Sequence, residues 1–342
     1  MTTISDVAKK ARVSTATVSR VLANSDSVTE KTRDRVMAAV EALNYKPNVM
    51  ARNLRVSATR AILVVVPDIS NLFFSEILRG IEFVASKSGY QVLLGDSDNR
   101  LEREVEYLDF LRQRQADGMI LLTARMDQSL LESIAAQYPV VLGCEYFDEG
   151  SAIQTVSVDN VSAGYRAAEH LIKLGHKRIG YISGPSGIIL SRDRLRGFQQ
   201  ALSDHGLPLE ELLIEEGAFT YDSGYEVMQR YLALASRPTA VFAANDEMAI
   251  GAIKAARKAG LDVPTDLAVM GMDNIKFASI FEPAVTTIAQ PMYEIGCTAM
   301  ELLLKVINKE EIPQKKFVLK DELIVRESCG GAQLRIINEA LA

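Results

Sequence analysis

The stretch VSTATVSRVLAN, residues 13–24, sets a helical apolar spacing inside a composition that resists helix formation. Val18, Val21 and Leu22 stand at i, i+3 and i+4, the spacing of one buried helix face. The Ser and Thr residues around them lose rotamer freedom or compete for backbone bonds, so packing rather than propensity must hold the helix. Its neighbours offer that packing. Upstream, SDVAKKAR is read as a helix with Ser5 as N-cap and Val7, Ala8 and Ala11 on one face. Downstream, TEKTRDRVMAAVEALNY carries Val36, Val40 and Leu43 at the same period, and Pro47 is expected to stop it. Only Val13 separates Arg12 from Ser14, the expected cap of the second helix, which forces a sharp turn. A small all-α helix-turn-helix head follows.

With the apolar residues turned inward, Thr15, Ala16, Ser19 and Arg20 stay outside near the start of the second helix. A small, polar, singly basic face suits the floor of a DNA major groove; the plainer alternative is a three-helix bundle with a Thr-rich surface. Charge favours DNA. Residues 1–60 hold eleven Lys+Arg against five Asp+Glu, a balance of +6, whereas the remainder has 27 against 39, or −12, within a total of −6. A basic head on an acidic body points to a head that meets a polyanion. In NYKPNVMARNLRV, Asn48 is placed to cap a short helix exposing Leu54 between Arg52 and Arg55. An apolar wedge flanked by arginines fits a minor-groove step; the alternative is a linker whose Leu docks on the next domain.

From Ala61 onward, short apolar runs alternate with amphipathic helices: AILVVVP, QVLLGD, GMILLT, PVVLGC, RIGYISG, TAVFAAN and LAVMGMD. Unalternating strands between helices imply parallel sheets covered on both faces. They are too many for one sheet, and the pattern restarts near Asp159, which predicts an α/β body of two doubly wound lobes. Ligands of such sheets bind beyond the carboxyl ends of the strands. That rule selects Asp68, Asn71, Phe73, Phe74, Glu145 and Tyr146 in the first lobe, and Ser191, Arg192, Arg194, Phe219, Asn245, Asp246 and Asp273 in the second. A guanidinium, an amide and carboxylates among aromatic walls are chemistry for holding hydroxyls.

The segments TISDVAKKARVSTATVSRVL, VTEKTRDRV, NYKPNVMARNL, VPDISNLFFSEILRGIE, GHKRIGYISGP, RLRGF, NDEMAIGA, VPTDLAVMGMDN and TTIAQPMYEIG resemble, in order and over nearly the whole chain, the lactose/galactose repressor family of bacterial transcription regulators. The resemblance implies a body of the periplasmic-binding-protein type. It divides the chain into a DNA-binding domain at 1–46, a hinge helix and linker at 47–60, an effector-binding and dimerisation domain at 61–330, and a tail at 331–342. The lobes would interweave: about 61–159 with 291–317, and about 160–290 with 318–330. Residue by residue, it implies that Thr15, Ala16 and Arg20 read bases. Thr3, Ser14, Thr17, Ser19, Thr32, Tyr45 and Asn48 would touch the phosphate backbone, and Leu54 with Arg55 would enter the minor groove. The family's effector contacts match Phe73, Phe74, Arg194, Phe219, Asn245 and Asp273. FFSEILRGIE, CEYF, YRAAEHL and DRLRGF are most similar to cytidine-responsive members, so a nucleoside or sugar is the expected effector. The purine-responsive branch has a polar base-binding loop where this chain has GIILS, which argues against a purine corepressor. The branch that works through a phosphorylated carrier protein lacks the arginine found here as Arg194.

Other classes fare worse. Cys144, Cys297 and Cys329 are scattered, which predicts buried or idle thiols, and His170, His176 and His205 form neither ligand spacing nor a pair with a nucleophile. No metal, cofactor or enzymatic activity is expected. GPSG at Gly184 lacks the Lys-Ser/Thr of a phosphate loop and reads as a turn. DNRLEREVEYLDFLRQRQ reads as a solvated, charge-rich helix. No apolar run is long enough to span a bilayer and the first residues lack a signal-peptide core, so a cytoplasmic protein without membrane contact is expected. The tail, GGAQLRIINEALA, is too short for a stable coiled coil, which leaves a homodimer as the expected assembly. The competing reading is a small-molecule receptor or transport-type protein without a DNA role.

Overall fold

The computed structural model describes residues 2–22, 27–45, 59–147 and 150–331. The chain forms two compact units, Met1–Thr59 and Arg60–Ala342. Pro47, Asn48, Leu54, Arg55 and residues 332–342 lie outside the described residues.

In the first unit, α1 (Ile4–Ala11), α2 (Thr15–Leu22) and α3 (Glu30–Ala42) enclose Val7, Ala8, Ala11, Val18, Val21, Val36 and Ala39, with Leu22, Val40, Leu43 and Tyr45 packed on the rim. The sharp turn between α1 and α2 is made by Arg12 in the left-handed region, φ 53°, with Val13 N–H donating to the Ala8 carbonyl at 3.0 Å. That is the Schellman closure, here without a glycine. The same device ends α3. Asn44 takes φ 44° and Tyr45 N–H donates to the Val40 carbonyl at 3.0 Å, so this helix stops before Pro47. At the start of α1 the cap is Thr3 and not Ser5, which sits inside the helix. Thr3 and Asp6 bind each other's backbone N–H groups reciprocally, a capping box that Ser5 has no matching partner to form.

The second unit contains two six-stranded sheets of matching design. The first has the order β11-β5-β4-β3-β1-β2, with β1 Ala61–Val66, β2 Gln91–Asp96, β3 Gly118–Leu122, β4 Val140–Gly143, β5 Gln154–Val158 and β11 Lys316–Leu319, every pair parallel. In the second the order is β12-β10-β9-β8-β6-β7, with β6 Ile179–Ser183, β7 Ile214–Glu216, β8 Ala240–Ala243, β9 Ala268–Asp273, β10 Thr286–Ala289 and β12 Glu322–Ile324. Here β12 pairs antiparallel with β10, a departure from the expected all-parallel sheet. The chain reaches β12 directly from β11 of the first sheet across two residues, without a helix, and then runs against β10.

Alternate residues of β1 explain its unbroken apolar run. Ile62, Val64 and Val66 join one core while Leu63 and Val65 join another, so both faces are covered. The chain passes between the sheets three times: at Asp159, through Gln290 and Pro291, and through Lys320 and Asp321. The last crossing falls after Leu319, just beyond the expected 317. There Asp321 pairs with Arg166 of α7 (Asn160–Lys173).

Candidate functional site

On the head, Thr15, Ala16 and Arg20 are all exposed on α2. The hydroxyls around them are already engaged in shaping the helix starts. Ser14 Oγ accepts from Thr17 N–H at 3.1 Å and meets Thr17 Oγ1 at 2.9 Å, which caps α2 as expected. Thr3 Oγ1 donates to Asp6 at 2.7 Å, and that bond holds the Asp6 carboxyl below its ordinary range. Thr32 Oγ1 meets Thr29 Oγ1 at 3.0 Å, while Ser19 and Tyr45 are half-buried. The structure therefore presents small side chains and one guanidinium at a capped helix start, where unsatisfied N–H groups also favour phosphate.

In the body, Phe73, Phe74, Arg194, Phe219, Asn245 and Asp273 all line one cavity of about 300 Å³. They arrive from the carboxyl ends of five strands, so the sheets rather than sequence proximity bring them together. Asn71 Oδ1 accepts from Phe73 N–H at 2.9 Å and starts α4 (Phe73–Lys87), setting the Phe73 and Phe74 rings edge to face at 5.2 Å. Arg194, on α8 (Ile189–Asp204), is 4% exposed. Its Nε donates to Asn160 Oδ1 at 2.8 Å and its Nη1 to the Ala244 carbonyl at 2.6 Å, which fixes the guanidinium plane. Asn245 caps α10 (Asp246–Lys258) through Met248 N–H and donates to the Phe219 carbonyl, both at 2.9 Å. Phe219 itself has φ 61°, and a side chain at Gly184 would overlap its ring. GPSG thus has a use beyond the turn: its first glycine makes room for an aromatic wall.

Asp273 carries the acceptor chemistry. Burial raises its carboxyl to about 6, against the nearby Arg194 charge and the Gln290 Nε2 donor at 2.8 Å. The carboxyl is therefore mostly ionised at neutral pH. Backbone strain marks the same place: Thr123, Cys144, Phe219 and Asp273 all have φ between 61° and 113°, and all line the cavity. Such conformations persist where surrounding structure over-determines them.

The remaining sequence candidates divide. Asp68 and Asn71 line this cavity; Glu145, Tyr146 and Arg192 line an adjoining one. Asp246 is buried and structural, accepting from Ile275 N–H at 2.9 Å, and Ser191 is buried. Sequence reasoning missed Asn99, Thr123, Arg125 and Gln290, although each follows a strand and the same rule pointed to them. Cys144 is buried, as expected of the thiols, and lies in the cavity wall, its thiol held up by burial. One further expectation is corrected: Glu104 of α5 (Leu101–Arg112) is fully buried, not solvated. Its carboxylate accepts from Arg125 N–H at 2.8 Å and Met126 N–H at 3.2 Å and so pins the loop that forms one wall.

A helix-turn-helix head joined to a two-lobed body with a polar-aromatic cavity between its sheets defines a class: regulators that carry a binding-protein body. Residues 3–48 match the model of bacterial regulatory proteins of the lacI family, and residues 168–329 match the periplasmic binding protein-like domain. The chain is 43% identical over 327 residues to the HTH-type transcriptional repressor CytR of Escherichia coli (strain K12), covering 95% of this chain and 96% of that one. Catabolite control protein A of Priestia megaterium is 38% identical over 328 residues, 95% and 98% of the two chains. Among solved structures, the lac repressor dimer bound to operator and the anti-inducer ONPF superposes with a TM-score of 0.87 at 28% identity, covering 96% and 99%. The chain belongs to the lacI family. It is a DNA-binding transcription regulator and not an enzyme, and among the described residues no helix is long and apolar enough to cross a membrane.

Proposed function

We propose that the protein is a homodimeric repressor that reads a pseudo-palindromic operator and is gated by a nucleoside or sugar held between its lobes. Thr15, Ala16 and Arg20 read bases. Thr3, Ser14, Thr17, Ser19, Thr32, Tyr45 and Asn48 grip the backbone, with Leu54 and Arg55 at the central minor groove. Phe73, Phe74, Arg194, Phe219, Asn245 and Asp273 hold the effector. The observation that carries this reading is the convergence of those six on one cavity in a chain whose head belongs to a DNA-binding family. The competing receptor without a DNA role falls with the match of that head. Exposed apolar groups support self-association: Leu93 and Leu94 on the edge strand β2, and Phe277 and Ile280 on α11 (Lys276–Ile280).

A thermal-shift screen of the whole protein against nucleosides and pentoses tests the effector class, because a ligand selective for the folded state raises its melting temperature. A rise is expected for at least one of them, and a flat response across both groups would overturn the effector assignment. Arg194→Ala is expected to abolish that rise while retaining operator binding; a normal response would remove Arg194 from the site.

A further inference from the structure

Beside the effector cavity lies a second one of about 450 Å³, with Arg125 and Ile188 lining both. It too is bounded by both lobes, through the segments after β3, β4 and β6. Its wall contains an unusual pair. Glu145 is 4% exposed, yet among the described residues its Oε2 has no hydrogen-bond partner, and neither has Nε of Arg125. Arg125 is otherwise held firmly, its Nη2 donating to Asn99 Oδ1 at 2.8 Å and its backbone N–H bound by Glu104. Buried polar groups are nearly always paired, and an orphan acceptor near an orphan donor indicates that something else is meant to satisfy them. Asp127, on the same wall, is already occupied by Ser129 Oγ and Leu130 N–H.

We propose that this second cavity receives the planar heterocycle of a nucleoside effector whose sugar occupies the first, with Glu145 and Arg125 reading a donor–acceptor edge of the ring. The inference rests on the cleft being the effector site, and it chooses between the two classes left open there. A free pentose has no group to reach the second cavity, so it leaves both orphans unsatisfied. A nucleobase edge offers an N–H and a carbonyl or ring nitrogen side by side. Burial holds the Glu145 carboxyl up at about 8, against the pull of Arg125, so at neutral pH it both donates and accepts. Ile188 and Phe147 give the ring apolar surface to lie against.

Calorimetric titration of the whole protein with cytidine, uridine, ribose and a phenyl riboside, in which benzene replaces the base, tests this. At least one nucleoside is expected to bind about tenfold or more tightly than ribose and the phenyl riboside, the scale of one or two satisfied hydrogen bonds. E145L is expected to erase that advantage and leave ribose affinity within about twofold, while E145Q, which keeps a donor and an acceptor, retains most of it. An unchanged nucleoside-to-ribose ratio in E145L overturns the inference alone, as does a phenyl riboside that binds as tightly as the nucleosides. The phenyl riboside result decides the matter even if E145L does not fold. Absence of binding by all four ligands overturns the effector reading and this inference with it.

Discussion

Arg20 is the one charged side chain on the exposed face of α2 that also carries Thr15 and Ala16. Arginine pairs bidentately with guanine, so Arg20→Ala is expected to cost roughly 1–3 kcal/mol on the cognate operator and to relax preference at one base pair. Electrophoretic-shift titrations on operator and random DNA check this; equal weakening on both would make Arg20 a phosphate contact only. In the cleft, Asp273 supplies a pH signature. Its carboxyl rises from 3.8 to about 6 on burial, so its contribution to stability is complete below 3.8 and is lost as pH rises through 6. Effector binding runs the other way, because hydroxyl groups donate to the ionised form. Effector affinity is expected to fall as pH drops through 6 in calorimetry, and D273N is expected to remove that step; a step that survives in D273N would assign it to another group. Which strand ends carry the cavity walls was legible, since an apolar run followed by a polar or aromatic residue is a local signal. Arg125 was within reach of the same rule, but Glu104 was not legible, because a buried carboxylate pinning a loop is a tertiary fact and Glu104 looks like any charge on a helix surface.

Helix pairing sets how well those residues are positioned. Gly164 of α7 lies against the Arg194 carbonyl and Gly197 of α8 against the Val161 carbonyl, so any Cβ at either position would overlap backbone. Gly164→Ala is expected to push α8 outward, cost about 1–3 kcal/mol of stability and weaken effector binding together. Unchanged melting temperature and affinity would show that the close approach does not matter. The helices were legible from their period, but their boundaries depended on caps. Thr3 caps its helix through reciprocal bonds with Asp6 where Ser5 was expected to do so, and Arg12 and Asn44 end theirs in the left-handed region. Strands β5 and β10, QTVSV and TTIA, escaped notice because their polar residues look half-exposed; Gln154, Thr155, Ser157, Thr286 and Thr287 are in fact buried between neighbouring strands.

For a ligand to gate DNA binding, closure of the lobes must be felt by the DNA-reading head. The cleft contains the means for its own half. Tyr146, following β4 in the first sheet, donates to Asp193 at 2.8 Å, and Asn160 joins that tyrosine to Arg194, so the guanidinium proposed to hold the effector is wired across the lobes. Gln290, at a crossing between the sheets, donates to Asp273 at 2.8 Å within the second lobe. Repression gated by a ligand is a coupling free energy, and coupling is reciprocal: whatever factor the effector applies to operator affinity, the operator must apply to effector affinity. The most direct measurement is therefore a pair of titrations on the same preparation, operator binding with and without saturating effector and effector binding with and without saturating operator. Two equal factors, of about 5- to 150-fold, are expected. A factor of one in both titrations would contradict that coupling, leaving a head and a body that share a chain but not a function.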